Sequence, residues 1–146
     1  MPPRFASDTV QSCFAPLKDA ARPQAWMAKR QAEELNSMCN SALVRVAPMA
    51  IFATNMLQMS DVKDAIDSDV SFTHSNNIVQ DACFLYGSCI HYLLNYVTDP
   101  MRAQKAFDQA LKLSMSDMAN TIDYEKSLSC LKWIQEAKRL IDLRNI

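Results

Sequence analysis

The near absence of glycine is the feature that most limits what this chain can fold into. Gly87 is the only glycine among 146 residues, against an average usage of about 7%. The G-x-G-x-x-G dinucleotide fingerprint and the P-loop each need several glycines, because backbone must approach phosphate closely or take a positive φ. The sequence therefore excludes these nucleotide-binding loops and favours an all-helical protein with short connections.

Composition and charge indicate one globular domain without a nucleic-acid partner. Hydrophobic residues make up 49% of the chain and charged residues 21%, which is typical of a globular protein. We predict a single all-helical domain over residues 1–146, since this length supports one core. Fifteen Lys and Arg against sixteen Asp and Glu leave a net charge of -1, so binding to nucleic acid has no evident electrostatic source.

The cysteines and the lengths of the apolar runs indicate in which cellular compartment the protein is expected. Five cysteines, an odd number with no C-x-x-C pair, argue against a disulfide framework or a zinc knuckle. Reduced thiols predict an intracellular protein, cytoplasmic by default, and Arg4 ahead of Asp8 leaves import into an organelle open. The longest apolar runs span about 12 residues, short of the ~20 that cross a membrane, so we expect no membrane span.

Apolar residues recurring at three- and four-residue steps predict helices along most of the chain. No stretch carries the signals of a β-hairpin. Predicted helices cover residues 42–57, 60–70 and 78–96, and further helices start after Pro23, at Pro100 and near Asp123. The predicted fold class is therefore all-α, a compact multi-helix orthogonal array.

Caps and prolines set the expected helix ends. Asn76 or Asn77 is expected to cap the helix over 78–96, and Ser60 to cap the helix that it begins. Pro48 predicts that the helix over 42–57 either begins near residue 47 or kinks there. Pro16 is expected to break the first third of the chain.

Two polar stretches interrupt the helices, NSMCNSALVRVAP at 36–48 and SFTHSNNIVQDACFLY at 71–86. In this order and at this separation they resemble the centre of the ADP-ribosylglycohydrolase family. In that family a glycine-rich loop ending in Asn-Gly-x-x-Met-Arg-x-x-Pro starts one core helix, and a Thr-His turn starts a later one. The matching residues are Asn40, Leu43, Val44, Arg45, Pro48, Thr73, His74, Ser75 and Asn76. The resemblance covers residues 36–133, and residues 1–35 are left unassigned.

The resemblance implies a truncated version of that family's all-α core. The full enzymes carry two magnesium ions that help to cleave the bond between ADP-ribose and a protein side chain. The loop at 36–41 would cradle the diphosphate with the histidine beside it, because a helix start with short polar side chains favours an anion, and histidine can donate to a phosphate oxygen. The candidate ligand residues are Ser37, Asn40, Ser41, Arg45 and His74.

The chain departs from the family pattern in the loop and in the metal motifs. The family's loop glycines are replaced by Asn36, Cys39, Ser41 and Ala42. Left-handed backbone is costly at such positions. Of the family's two acidic motifs, Ser7-Asp8-Thr9 is at best a remnant of the first, and the second is not found before Ile146. Because Asp8 alone cannot supply the oxygen ligands of magnesium, we predict no catalytic residues, no metal site and no cofactor.

Each candidate residue also has a structural interpretation. Arg45 could anchor the loop by bonding helix-end carbonyls or a nearby acid such as Asp69. His74 could cap the helix that follows it, and the polar turn at 37–41 could cap a helix without any ligand. His91, within an apolar helical stretch, is expected to be a hydrogen-bonded core residue.

Three functional hypotheses follow. The first is a catalytically degenerate, helical ADP-ribosylglycohydrolase-like protein that serves as a structural or interaction subunit, with protein partners or a second copy of itself. The second is a protein that binds ADP-ribose or hydrolyses an ADP-ribosyl bond, with magnesium ligands supplied by another chain. The third is an unrelated helical adaptor, which a large distance between the Asn40 turn and His74 would favour.

Overall fold

The computed structural model describes residues 7–56 and 58–118, with side chains as far as residue 113, and also residues 132, 135, 136 and 139. These residues are all-α, which confirms the predicted fold class. The helices are α1 (Asp8–Lys18), α2 (Ala25–Leu35), α3 (Leu43–Phe52), α4 (Met59–Val70), α5 (Asn77–Asn95) and α6 (Arg102–Met118), with one-turn 3₁₀ helices at Asn40–Ala42 and Ala53–Asn55. The helix predicted from about Asp123 lies outside the described residues. None of the described helices has the length and apolar character needed to cross a membrane.

Helix α5 lies at the centre of the fold. It packs against α3, α4 and α6, while α1 packs on α2. Because neighbours surround α5, it buries residues on several faces, including Phe84, Leu85 and Ser88. His91 is 6% exposed, which confirms that it lies in the core, and its Nδ1 has no hydrogen-bond partner among the described residues. Burial lowers the pKa of His91, and the backbone of Ala53 opposes the shift.

The glycine of this chain lies where α5 approaches α3 and α4 most closely. A Cβ atom added to Gly87 would collide with Cδ1 of Ile66 and lie 3.1 Å from Cγ1 of Val46. Both neighbours are buried, at 0% and 1% exposure, so neither has free space beside it. Gly87 does not have a positive φ, so close packing rather than backbone conformation explains the glycine. We call these three residues the Gly87 seam.

The helix caps agree with the sequence in one case and differ in another. Asn76 caps α5 as predicted, since its Oδ1 accepts a hydrogen bond from the N–H of Ile78 at 3.0 Å. The prediction for Ser60 is wrong. Gln58 is the N-cap of α4 and makes no side-chain bond there, and Ser60 lies inside the helix. The local sequence indicates which residue types favour a cap, but it locates the first residue of a helix only to within one or two positions.

Two prolines lie inside helices. α1 continues through Pro16 to Lys18, and α3 begins at Leu43 and passes through Pro48. The break expected at Pro16 is therefore wrong. Of the two alternatives at Pro48, the helix start near residue 47 is wrong, and the kink stays a prediction. Each proline removes a backbone hydrogen bond and costs up to about 3 kcal/mol. Burial of the same helices, through Cys13 in α1 and Val46 in α3, offsets this cost.

Candidate functional site

The loop between α2 and α3 needs only one left-handed residue. Asn36 has φ 41° and ψ 45° and ends α2, with its N–H donating to the carbonyl of Ala32 at 2.9 Å. Within residues 7–56 and 58–118 it is the sole non-glycine residue with a positive φ. Asparagine tolerates this conformation better than most residues. Cys39 and Ala42, which replace glycines of the family loop, therefore have negative φ angles that any residue adopts.

The structure brings the loop and the histidine turn together, as the sequence predicted. Nε2 of His74 lies 3.2 Å from Sγ of Cys39 and 3.4 Å from Oγ of Ser41. His74 is fully buried. It does not cap α5, because Asn76 does so, and that structural interpretation of His74 is therefore wrong. Its side chain instead packs against the loop that precedes α3.

Helix α1 contributes a further residue to this contact. Oγ1 of Thr9 lies 3.2 Å from Oγ of Ser37 and 3.2 Å from Sγ of Cys39. We call the five side chains that meet here the Cys39 cluster: Thr9, Ser37, Cys39, Ser41 and His74. Sequence reasoning noticed the Ser7-Asp8-Thr9 stretch as a metal remnant and Cys39 as a lost glycine. It missed both as site residues, because nothing in their local sequence indicates that they touch.

A second hydroxyl fixes the orientation of the histidine ring. Oγ1 of Thr73 lies 2.8 Å from Nδ1 of His74, at the end of the ring opposite Cys39. Thr73 is fully buried, and it is the last residue of the turn that follows α4. The ring is thus held at both nitrogens, which leaves His74 Nε2 directed at the sulfur.

The cluster changes the acidity of its thiol. Partial burial acts to raise the pKa of Cys39, but hydrogen bonds from Ser37, Ser41, Thr9 and His74 outweigh it and lower the pKa to about 5. Hydrogen bonding to the charged form of a group favours that form. These hydrogen bonds therefore favour the thiolate form of Cys39.

Arg45 anchors the start of α3, as its structural interpretation predicted. Its Nε donates to Oδ2 of Asp69 at 3.0 Å, and its terminal nitrogen donates to the backbone carbonyl of Asp69 at 3.0 Å. Both groups are about one-quarter exposed. The guanidinium thus ties α3 to the end of α4 with two hydrogen bonds.

The polar turn does not cap α3. Ala42 is the N-cap of that helix, and no side chain accepts a bond there, so the capping interpretation of the turn is wrong. Ser37 Oγ instead accepts from the N–H of Cys39 at 3.3 Å, and Ser41 Oγ lies 2.9 Å from the sulfur. Asn40 is exposed. Both serine hydroxyls therefore lie against Cys39 rather than at the start of α3.

A cleft of about 640 Å³ lies beside the cluster. Its lining residues are Ser7, Val10, Asn40, Ser41, Leu43, Val44 and Arg45. Three of the five predicted ligand residues therefore border this cleft. Ser37 and His74 face the Cys39 cluster instead. The volume lies within the ~300–1,000 Å³ typical of small-molecule pockets.

The described residues do not fit a magnesium centre. No group of three or more His, Cys, Asp or Glu side chains in the described part of the chain is placed to hold a metal ion. Asp8, the candidate remnant of the first acidic motif, is exposed in the first turn of α1. Magnesium requires several oxygen ligands in octahedral geometry, and a lone carboxylate does not supply them.

Comparison with known proteins tests the resemblance seen in the two polar stretches. No curated protein and no solved structure matches the chain. The family model described as ADP-ribosylglycohydrolase matches residues 2–144, a range that includes the first two helices as well as the central motifs. The hypothesis of an unrelated helical adaptor is therefore wrong, since the match spans nearly the whole sequence and His74 contacts the loop. This chain belongs to the ADP-ribosylglycohydrolase family.

Proposed function

We propose that this protein is a catalytically degenerate member of its family that acts as a structural or interaction subunit of a larger assembly. The observation that carries the proposal is the exposed apolar surface of α3. Val44 is 79% exposed, Ile51 58% and Phe52 69%. Scattered exposed apolar residues need no explanation, but a contiguous apolar patch marks an interaction surface.

These side chains form one face of the helix. Residues seven and eight positions after Val44 project from the same side of an α-helix, and exposed Pro48 lies between them. We call this surface the outer face of α3. The opposite side carries Val46 and Ala50, which are buried in the core. α3 is thus apolar on both sides. One side packs in the core of this chain, and the other is available to pack against a partner.

The internal bonding of the candidate ligand residues supports the non-catalytic part of the proposal. Arg45 uses two donors on Asp69, and His74 is held by Cys39 and Thr73. Side chains that are already paired serve as scaffold without a ligand. A scaffold that outlasts its original chemistry is a common outcome within a fold family.

Light scattering coupled to gel filtration tests this proposal. We expect the wild-type mass to exceed that of one chain, and Phe52→Lys to return it to one chain because a charge on the outer face of α3 blocks burial. Trp26→Lys is the matched control, since Trp26 is also an exposed aromatic residue, at 57%, but lies on α2. A folded wild type that elutes as a monomer would contradict the proposal.

The cleft favours a second candidate function, binding of ADP-ribose. Asn40, Ser41 and Arg45 line it, and these belong to the family loop that would hold a diphosphate. Hydrolysis would further need magnesium ligands from another chain. The cleft supports binding more directly than catalysis, because its size suits a small molecule and the described residues do not fit a metal centre.

Calorimetry with ADP-ribose, with and without magnesium, tests this candidate. We expect Asn40→Ala to abolish the heat of binding without loss of stability, because Asn40 is exposed beside the cleft. Asn55→Ala is the matched control, an exposed asparagine outside the cleft. Absence of heat and of any thermal shift in the wild type under both conditions rules the candidate out.

A further inference from the structure

Cys39 lies within hydrogen-bond distance of three polar side chains. Its Sγ lies 2.9 Å from Oγ of Ser41, 3.2 Å from Oγ1 of Thr9 and 3.2 Å from Nε2 of His74. A neutral thiol is a weak donor and a weak acceptor. A thiolate, in contrast, accepts bonds from two hydroxyls and an imidazole N–H together. The surroundings therefore suit the anionic, nucleophilic form of the sulfur.

The same cluster contains the other parts of an activated nucleophile. His74 lies within hydrogen-bond distance of the sulfur, and Thr73 holds the far nitrogen of the ring at 2.8 Å. A nucleophile, a histidine in contact with it and a third group that orients the histidine form the usual arrangement around a reactive side chain. The histidine and the threonine are both fully buried, so their positions are fixed by packing.

Another cysteine provides an internal comparison. Cys89 is partly exposed, as Cys39 is, whereas Cys13 and Cys83 are buried. Burial raises the pKa of Cys89 to about 11, and it has no cluster of hydroxyls around its sulfur to oppose this. The two thiols thus differ both in burial, which raises the pKa of Cys89, and in the hydrogen bonds around the sulfur, which lower the pKa of Cys39.

We propose that Cys39 is a modification site, a nucleophilic thiol that peroxides oxidise to a sulfenic acid. The thiolate attacks one oxygen of hydrogen peroxide, so that an S–O bond forms as the O–O bond breaks. Sulfur loses two electrons, the attacked oxygen keeps its hydrogen, and the second oxygen leaves as hydroxide, so that the thiolate and hydrogen peroxide give the sulfenic acid and hydroxide. A thiol reductant reverses the change. This role goes beyond both proposed functions and depends on neither.

Oxidation at this position would alter the cleft. Ser41 contacts the sulfur through its Oγ and also lines the cleft. An oxygen bonded to Sγ of Cys39 requires the space that Ser41 or His74 now occupies, because both lie at hydrogen-bond distance. The start of α3 therefore shifts when the sulfur is oxidised, and the shape of the cleft becomes dependent on redox state.

The expected selectivity follows from two opposing effects. With pKa values of about 5 and about 11, the thiolate populations of Cys39 and Cys89 at pH 7 differ by about 10⁴-fold. A thiolate of lower pKa is also a weaker nucleophile. With a Brønsted slope of about 0.4–0.5, the difference of about six pKa units makes the Cys39 thiolate roughly 10²–10³-fold less reactive than the Cys89 thiolate. Cys39 therefore reacts about tenfold faster or more.

The test is site-resolved labelling of the full chain. The folded protein is treated with hydrogen peroxide at pH 5 to 9, sulfenic acid is trapped with dimedone, and tryptic peptides are quantified by mass spectrometry. Peptide 31–45 contains Cys39 alone, and fragment spectra separate Cys83 from Cys89 in peptide 64–102. We expect Cys39 to be labelled at least about tenfold faster than Cys89 at pH 7, and this preference to vanish in urea.

Variants connect the reactivity to the cluster. Thr9→Val removes one hydroxyl with little change of shape, so the midpoint of the pH–rate profile at Cys39 rises. Thr54→Val, which removes a hydroxyl far from the cluster, leaves it unchanged. Iodoacetamide gives the same profile by alkylation, independently of peroxide chemistry. A Cys39 midpoint near pH 9 in the folded wild type, or a rate no faster than that of Cys89, overturns the proposal.

Discussion

The Cys39 cluster and the Gly87 seam both fix the position of α3, but by different physical means. In the cluster, short polar side chains from α1, the loop and the turn after α4 meet around one sulfur. In the seam, α5 packs directly on Val46 and Ile66 because Gly87 carries no side chain. Hydrogen bonds respond to charge and geometry, whereas close packing responds to volume. The two regions should therefore respond to different changes.

The largest effect is expected from adding volume to the seam. Gly87→Ala places a methyl group against Cδ1 of Ile66, and we expect a loss of about 1–3 kcal/mol in the free energy of unfolding, measured in urea. Ile66→Val removes the opposing atom, so the double variant should lose less than the sum of the single ones. A gain of about 1 kcal/mol from helix propensity alone would show instead that the seam has room.

A smaller loss of stability is expected when the ion pair between Arg45 and Asp69 is removed. Arg45→Met removes both bonds to Asp69 and leaves its carbonyl without that donor, so we expect a loss of about 1–2 kcal/mol in the free energy of unfolding. Asp69→Asn should cost less, because the bond to the backbone carbonyl remains. Equal losses in the two variants would indicate that the carbonyl bond contributes nothing.

The cluster should add a pH dependence that the seam does not have. The pKa of Cys39 is about 5 in the folded protein against 9.0 for a free thiol, so the unfolded state binds more protons between these values. Stability therefore rises with pH from 5 to 9 and is lost as pH falls toward 5. After solvent screening we expect about 1 kcal/mol over this range.

The measurement compares urea unfolding of the wild type and Cys39→Ser at several pH values. The difference between them should grow from pH 5 to pH 9. Cys89→Ser is the matched control. Burial raises the pKa of Cys89 to about 11. The contribution of Cys89 to the free energy of unfolding therefore stays constant up to about pH 9 and falls above it, because the thiol then ionises more readily in the unfolded state. Parallel curves for the wild type and Cys39→Ser would contradict the assignment of a thiolate.

The smallest effect is expected at the left-handed residue that begins the loop. In Asn36→Ala, alanine must adopt φ 41°, a conformation that it tolerates less well than asparagine does. We expect a loss of about 0.5–1 kcal/mol in the free energy of unfolding. Asn36→Gly should change stability by less than about 0.5 kcal/mol, because glycine adopts this conformation freely. Equal losses in both variants would show that the bond from Asn76 to Asn36 Oδ1, rather than backbone strain, sets the cost.

Much of the fold was predictable from the sequence because it depends on neighbouring residues. The all-α class, the position of α5 and its Asn76 cap all follow from periodicity and capping preferences over a few residues. The anchoring of Arg45 on Asp69 was also anticipated. The interpretations that failed are the break at Pro16, the helix start near residue 47, the cap at Ser60, and the capping roles of His74 and of the turn at 37–41. In each case tertiary contacts outweighed a local preference.

The sequence by itself determined the family, the all-α class and five of the six described helices, all but α1. Only the tertiary structure decided that Thr9, Cys39 and His74 converge, and that Gly87 packs against Val46 and Ile66. The reason is physical. A cap or a periodic face is set within a few residues, whereas contacts between residues 30 or 35 positions apart depend on how whole helices pack.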